Sequence, residues 1–381
     1  MTLVRKNKMD WQTIRELFPA TQTYTYLNSA AAPPLSLYAA REGKRYYDEM
    51  LQHGDIVYDR WVAQTEEVRE KLARLLHTQA NQLAFTYSSS HGMNLVAQIL
   101  TKRGEVLAPA DEFPSATLPW LQQGYKIHFV ASRERGIIEL QDIAAAVGPR
   151  TRILVASYVQ YATGFRQDLF SLGQLCRERD LVFVVDATQA MGVFPIDVAA
   201  CGIDFLVFSG YKWALAGYGV GGLYISPRFL DTRQFPVAGW WSARDPEAVI
   251  NNRLDLKDTA AELEIGCPHF AGIFALGGAL DLFAEIGAAR IERRVHELVD
   301  YLHARVTDAG LKIVSPANRN QRSGITVIET IDAQKVVQAL AEEKIIVSAR
   351  GKGIRVSAHI FNNFEDFDRL LPALVEFYSE E

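Results

Sequence analysis

Lys212 stands in the stretch "SGYKWALAGYGVGG" (209–222), directly after the apolar run "DFLVF". A lysine at the end of a run that reads as a buried strand needs a partner or a task, because an unpaired buried ammonium is costly. A candidate partner lies upstream. "VVDATQA" ends another apolar run on Asp186, and Gln189 follows three residues later. A third stretch, "FTYSSSHG", puts Ser89 and Ser90 at a strand-to-helix turn. Hydroxyls and free helix N–H groups at such a turn suit a phosphate. A phosphate cradle, a lysine and a buried carboxylate are together what pyridoxal 5′-phosphate requires. The lysine forms a Schiff base with the aldehyde. The carboxylate keeps the pyridine nitrogen protonated, since an opposite charge in a low-dielectric site favours the charged form. Gln189 is spaced to reach the phenolic oxygen of the ring.

Each signal has a plainer reading when taken alone. A buried Asp or Lys is more often one half of a structural ion pair, and "SSSHG" alone is a helix cap. The combination is what carries the chemistry. Gly217, Gly219 and Gly222 also spell G-x-G-x-x-G. A dinucleotide loop must follow the first strand and open a helix. Here the glycines come late and run into strand-like "GGLYIS". A phosphate-binding P-loop carries its lysine after the glycines, and here the lysine precedes them. The glycines are therefore read as a tight turn between two strands.

These residues need elements to hold them. From about residue 83, short β-branched runs alternate with helical patterns: "LAFTY", "EVLAPA", "KIHFVAS", "RILVASYV", "LVFVVDA", "DFLVFSG" and "GGLYIS". Strands apolar on both faces and separated by helices predict an α/β fold, a mostly parallel seven-stranded sheet covered on both sides. Ligands of such sheets sit beyond the carboxyl ends of the strands. After about residue 225 the pattern changes to long helices followed by short strands, "GITVIE" and "GIRVSA". The division expected is a large cofactor-binding domain over 20–255 and a smaller α+β domain over 256–381. The N-terminal residues 1–19, with the amphipathic helix "WQTIRELF", join the smaller one.

The chain has 381 residues, a formal net charge of −5 and 49% hydrophobic residues. That balance excludes the basic face of a nucleic-acid binder. "VRKNK" near the start is followed by an amphipathic helix and not by the apolar core of a signal peptide. No apolar run approaches the ~18 residues of a membrane span. Cys176, Cys201 and Cys267 lie far apart and offer no metal-binding spacing, which fits a reducing cytoplasm. His296 and His303, spaced i, i+7, read as solvated rather than as metal ligands.

The run "VVDATQAMGVFPIDVAACGIDFLVFSGYKW" resembles fold-type I pyridoxal-phosphate enzymes of the class V aminotransferase and cysteine desulfurase family. The resemblance extends from "YLNSAAAPPL" (26–35) to "GIRVSAHIFNNFEDFDRL" (353–370). It implies that Lys212 is the Schiff-base lysine, that Asp186 pairs with the pyridine nitrogen, and that Gln189 contacts the phenolic oxygen. Ser89, Ser90 and Ser209 would hold the phosphate. Tyr211 stands where the family often has His, which is similar to kynureninase, and would also reach the phosphate. Phe113 of "DEFPS" would stack on the cofactor. "EIGCPHFAGI" looks like the family's E-x-G-T-P stretch, with Cys267 in place of a threonine that supports the phosphate across a dimer interface. Arg355 of "GIRVS" matches the arginine that grips the substrate carboxylate, and Asn28 and Ala30 line the substrate side. Arg166 of "TGFRQDL" lies near the cofactor strand, with no catalytic role expected.

A cysteine desulfurase needs a mobile cysteine shortly before the substrate arginine. "EEKIIVSARGKGIR" has none. The expectation is therefore a homodimeric aminotransferase acting on an amino acid or amine, without nucleic-acid or membrane partners. The alternatives are a lyase, desulfurase-like enzyme or epimerase using the same Cα carbanion. An alternative of another class is a binding protein that has lost turnover. Lys212, Asp186, Gln189 and Arg355 standing together speak against it.

Overall fold

The computed structural model describes residues 9–101, 103–232 and 235–379; "VRKNK" lies outside them. Seven strands form the large sheet: β1 (Leu83–Thr86), β2 (Glu105–Pro109), β3 (Ile127–Val130), β4 (Thr151–Ser157), β5 (Val182–Asp186), β6 (Phe205–Ser209) and β7 (Gly221–Ile225). Their order is β1-β7-β6-β5-β4-β2-β3. Only β7 runs antiparallel to its neighbours. The remaining pairs are parallel, as expected for strands whose two faces are both apolar. Val184, Val185, Leu206 and Val207 are fully buried between helical layers. Each such side chain contributes about 1.5–3 kcal/mol of burial.

The turn between β6 and β7 contains Gly217 and Gly219, at φ +75° and +85°. That left-handed backbone favours glycine, so the G-x-G-x-x-G pattern is turn chemistry and opens no helix. Gly92 serves packing instead. A Cβ there would lie 2.8 Å from Val207 Cγ1, so its absence lets helix Ser89–Ile99 lie close against β6.

Helix Phe270–Ile286 is apolar almost all round and is buried against helices Leu37–His53 and Tyr58–Leu76. Trp61 and Tyr46 pack on Phe270 and Phe274, with centroids 5.7 and 6.1 Å apart. No single described helix is long and apolar enough to cross a membrane. Beyond it, β8 (Ile325–Glu329), β9 (Ser348–Arg350) and β10 (Gly353–Ser357) form an antiparallel sheet in the order β9-β10-β8. Leu298, Leu302, Val356, Phe367 and Leu370 share its core.

Helix Trp11–Glu16 docks on this part of the molecule. Arg15 forms a two-pronged ion pair with Asp366 at 2.9 and 3.0 Å. The guanidinium groups of Arg290 and Arg294 lie over the Trp11 ring. One expectation fails here. His296 and His303 are buried, not solvated. They lie on the face of helix Ala288–Asp308 that also carries Val295, Val299 and Leu302. His303 Nε2 lies 3.2 Å from Thr326 Oγ1, and His296 packs on the Phe194 ring.

Candidate active site

The carboxyl ends of β1, β4, β5 and β6, with the loop after β2, surround one cavity. It is lined by Ser88, Ser89, Ser90, Phe113, Ser115, Ser157, Val159, Tyr161, Asp186, Thr188, Gln189, Ser209, Tyr211 and Lys212. β5 and β6 are adjacent and parallel, with Asp186 in register with Val207. Asp186 and Lys212 therefore reach the same crevice, as the two strand ends in the sequence suggest.

Lys212 is 7% exposed, and its side-chain amine has no hydrogen bond or ion pair among the described residues. Its Nζ lies 5.2 Å from the Phe113 ring centroid and 5.5 Å from that of Tyr211. Burial pushes the amine down to about 8; Asp186 opposes the shift, while Arg355 and Arg350 add to it. Asp186 is 5% exposed, and burial raises its carboxyl above the usual range. Thr188 and Lys212 pull it back; Asp186 Oδ1 accepts the Thr188 N–H at 2.8 Å.

Gln189 is fixed from both ends. Its Nε2 donates to the Ala30 carbonyl at 3.1 Å, and its Oε1 accepts from Trp213 Nε1 at 2.6 Å. The serines close the other wall. Ser88 caps helix Ser89–Ile99 by accepting the His91 N–H at 3.2 Å. The Ser89 N–H donates to Ser209 Oγ at 2.8 Å, and the Ser209 hydroxyl returns a bond to Ser89 Oγ at 3.1 Å. Ser90 Oγ and Ser115 Oγ are 2.6 Å apart. Hydroxyls at a helix N-terminus offer donors and a favourable dipole to an anion. Phe113 is 37% exposed at the start of helix Pro114–Gln122, whose first residue Pro114 presets that turn.

Arg355 lies in the middle strand of the small sheet and is 1% exposed. It is not a surface arginine on an edge. Its Nη1 donates to the Tyr161 carbonyl at 2.9 Å, while Nε and Nη2 are buried without a partner. Such donors are costly to leave unmade, and both are available to an acceptor from outside the fold. Asn28 bridges to Ser357, and its Oδ1 is also buried and unpartnered. The Ala30 N–H donates to Ser357 Oγ at 2.9 Å. Asn28 and Ala30 thus tie the N-terminal segment to the strand that carries Arg355.

Cys267 lies apart. It is exposed and lines a second hollow with Tyr87, His91, Gly219 and His269. Within one chain it does not line the Lys212 cavity. Cys176 is buried in helix Leu169–Glu178, and Cys201 is half-buried. Arg166 pairs with Glu292 at 3.0 Å, in line with a structural role.

Sequence reasoning passed over Glu112 and Tyr161. Glu112 is buried, and its carboxylate accepts the Ser157 N–H at 2.8 Å, the Ser157 hydroxyl, and Gln160 Nε2 at 2.9 Å. Burial, the largest cause, raises it to about 7 despite the Ser157 bonds; Asp186 adds to the rise. It knits the loop holding Phe113 to the end of β4. The only signal was its place beside Phe113 in "DEFPS".

The family model for Aminotransferase class-V matches residues 25–370. The chain belongs to the class-V aminotransferase family. A probable cysteine desulfurase of Methanothermobacter thermautotrophicus is 27% identical, over 97% of this chain and 98% of the relative. An isopenicillin N epimerase of Streptomyces clavuligerus is 27% identical, over 96% and 98%. The solved apo structure of a cysteine desulfurase from Thermococcus onnurineus NA1 superposes with a TM-score of 0.89. It shares 24% identity and covers 97% of this chain and 98% of its own. This class-V member is an enzyme, its fold is that of the fold-type I pyridoxal-phosphate enzymes, and its cofactor is pyridoxal 5′-phosphate. The cavity fits that group. It offers an unpaired amine, a buried carboxylate and a hydroxyl-lined helix start within one enclosure.

Proposed function

We propose that this enzyme is an aminotransferase of α-amino acids, with Lys212 as the residue that joins the cofactor and moves the proton. The observation that carries this reading is Lys212, unpaired and depressed to about 8, sharing a cavity with Asp186 while Arg355 keeps two free donors. Bound pyridoxal phosphate would supply an electron sink for the pair left at the substrate Cα. Ser89, Ser90, Ser209 and Tyr211 would hold its phosphate, and Phe113 would cover its ring. Asp186 would keep a proton on the ring nitrogen, and Gln189 would donate to the phenolic oxygen. Arg355 would fix the substrate carboxylate, which aims the Cα–H bond at Lys212. Lys212 Nζ, neutral once displaced, would take that proton from Cα and give it to the cofactor's C4′ carbon, acting first as base and then as acid.

A second reading is elimination at Cβ, as in a C–S lyase, and the desulfurase relatives favour it. Against a persulfide route, no cysteine among the described residues lines the Lys212 cavity. One experiment separates the two. The holoenzyme is incubated with a panel of amino acids and followed by absorbance and product mass spectrometry. A keto acid with the aminated cofactor supports transamination. Released ammonia or sulfide with the cofactor unchanged moves the enzyme to the lyases, and inverted stereochemistry to the epimerases.

The same reading includes a homodimer in a reducing compartment. Exposed Tyr87, Tyr218, Ile265 and Leu35 lie near the Cys267 hollow or the β6–β7 turn. Apolar side chains gathered there suit burial by a second copy, which would bring Cys267 towards its partner's phosphate site.

A further inference from the structure

Arg355 and Arg350 belong to one hairpin. Arg355 pairs with Ser348 across β9 and β10, and Arg350 pairs with Gly353. Directly opposed residues share a face, and so do residues two apart on a strand. Both arginines therefore project from the same face of the sheet, as diagonal neighbours with Cβ atoms within roughly 7–8 Å of each other. Like-charged guanidinium groups repel, and the repulsion registers: Arg350 helps to push down both Arg355 and Lys212. A fold gains nothing by gathering three cations unless an anion is to come between them.

The two arginines differ in depth. Arg355 is buried at the floor, with Nε and Nη2 free. Arg350 is exposed and lines two hollows whose wall includes Tyr161. Tyr161 also lines the Lys212 cavity, and its carbonyl accepts from Arg355. The hollows around Arg350 thus share Tyr161 as a wall with the reaction cavity. Of the other cations there, Lys312 pairs with Glu329 at 2.9 Å and Arg133 with Asp142 at 2.7 Å, while Lys352, at the hairpin turn, also lines both hollows without an ion pair among the described residues. Arg350 has no ion pair among the described residues, although Asp111, Glu112 and Glu134 line the same hollow. Glu112 is turned inward to Ser157 and Gln160, and Asp111 accepts from Ser132. Between Arg350 and Arg355, Ser348 Oγ is buried and unpartnered.

We propose that Arg350 reads a second negative charge on the substrate, so that the enzyme prefers α-amino acids whose side chain ends in a carboxylate or a comparable anion. This rests on the reading that Arg355 takes the α-carboxylate. Arg355 holds one end of the substrate, Cα faces Lys212, and the side-chain anion reaches past Tyr161 to Arg350 and Ser348. A guanidinium fork matches a planar carboxylate, which an amide of the same shape cannot replace.

The test uses non-reacting probes on the holoenzyme. Succinate and succinamate have nearly the same shape and differ by one charge. Calorimetry should show succinate binding about tenfold or more tightly, the effect of one charge-assisted bond. In Arg350→Gln the ratio should fall to about one, and in Arg350→Glu it should invert. The ratio of kcat/KM for aspartate over asparagine should move in parallel. Equal affinities in the unmodified enzyme, or a preference that survives Arg350→Gln, would overturn the proposal. Arg355→Met should weaken both probes. Unchanged affinity for both in that variant would instead overturn the reading of Arg355, and the proposal with it.

Discussion

Replacing Arg355 by methionine should separate catalysis from stability. The side chain is 1% exposed, and burial pushes its guanidinium down to about 10, with Arg350 adding to the shift. The free protein thus holds a charge that its surroundings oppose, at a cost on the order of a few kcal/mol. Methionine fills much of the same volume without that charge. It leaves the Tyr161 carbonyl without its donor, a loss of about 1 kcal/mol. The net expectation is a melting temperature equal to or above that of the unmodified protein. Catalysis should move the other way. Nε and Nη2 are the two donors free for a carboxylate, and each charge-assisted bond contributes about 1.5–3 kcal/mol. Together they give a fall in kcat/KM for α-amino acids of roughly 10²–10⁴-fold. Simple amines have no carboxylate to lose, so their slow reaction should change little. The assay is a thermal melt beside single-turnover absorbance with an amino acid and its matching amine. A variant that melts many degrees lower, with equal losses for both, would make Arg355 a structural residue and refute the reasoning.

Three further outcomes follow from the same geometry. Asp186→Asn should still take up cofactor but lose at least about a hundredfold in Cα proton abstraction, because a neutral amide no longer supports the ring charge; undiminished turnover would exclude that role. Lys212 is depressed to about 8, so it is protonated below that pH and a neutral nucleophile above it. Cofactor capture by the cofactor-free protein should therefore rise with pH and level off above about 8, whereas an ordinary lysine would keep gaining up to about 10. Replacing Cys176, Cys201 and Cys267 together by serine should leave the first half-reaction largely intact, with some loss of cofactor affinity allowed at Cys267; a persulfide that vanishes with one of them would move the enzyme to the desulfurases.

Much of this arrangement was legible in the chain because it depends on strand ends. Apolar runs that stop on Asp186 and just before Lys212 place both at the same edge of a parallel sheet, whichever helices cover it. The serine cluster was legible for the same reason, as a cap at the next strand end. Glu112 and Tyr161 were not. Their importance arises from contacts across sequence distance, to Ser157 and Gln160 for Glu112 and to Arg355 for Tyr161. No local pattern encodes such contacts. The burial of His296 and His303 was misjudged because a histidine on an apolar stripe was weighed by its own polarity. Seven residues apart, they share the helix face with Val295, Val299 and Leu302, and the stripe decides. Arg350 drew no attention in sequence, since only the hairpin register brings it beside Arg355.

The central claim is that Lys212 is the residue that joins the cofactor. Borohydride reduction of the fully loaded protein, followed by proteolysis and mass spectrometry, tests it directly. The account predicts one pyridoxyl-modified peptide, spanning "SGYKW", with the mass carried on Lys212. Modification of another lysine, or none on loaded protein, would contradict it.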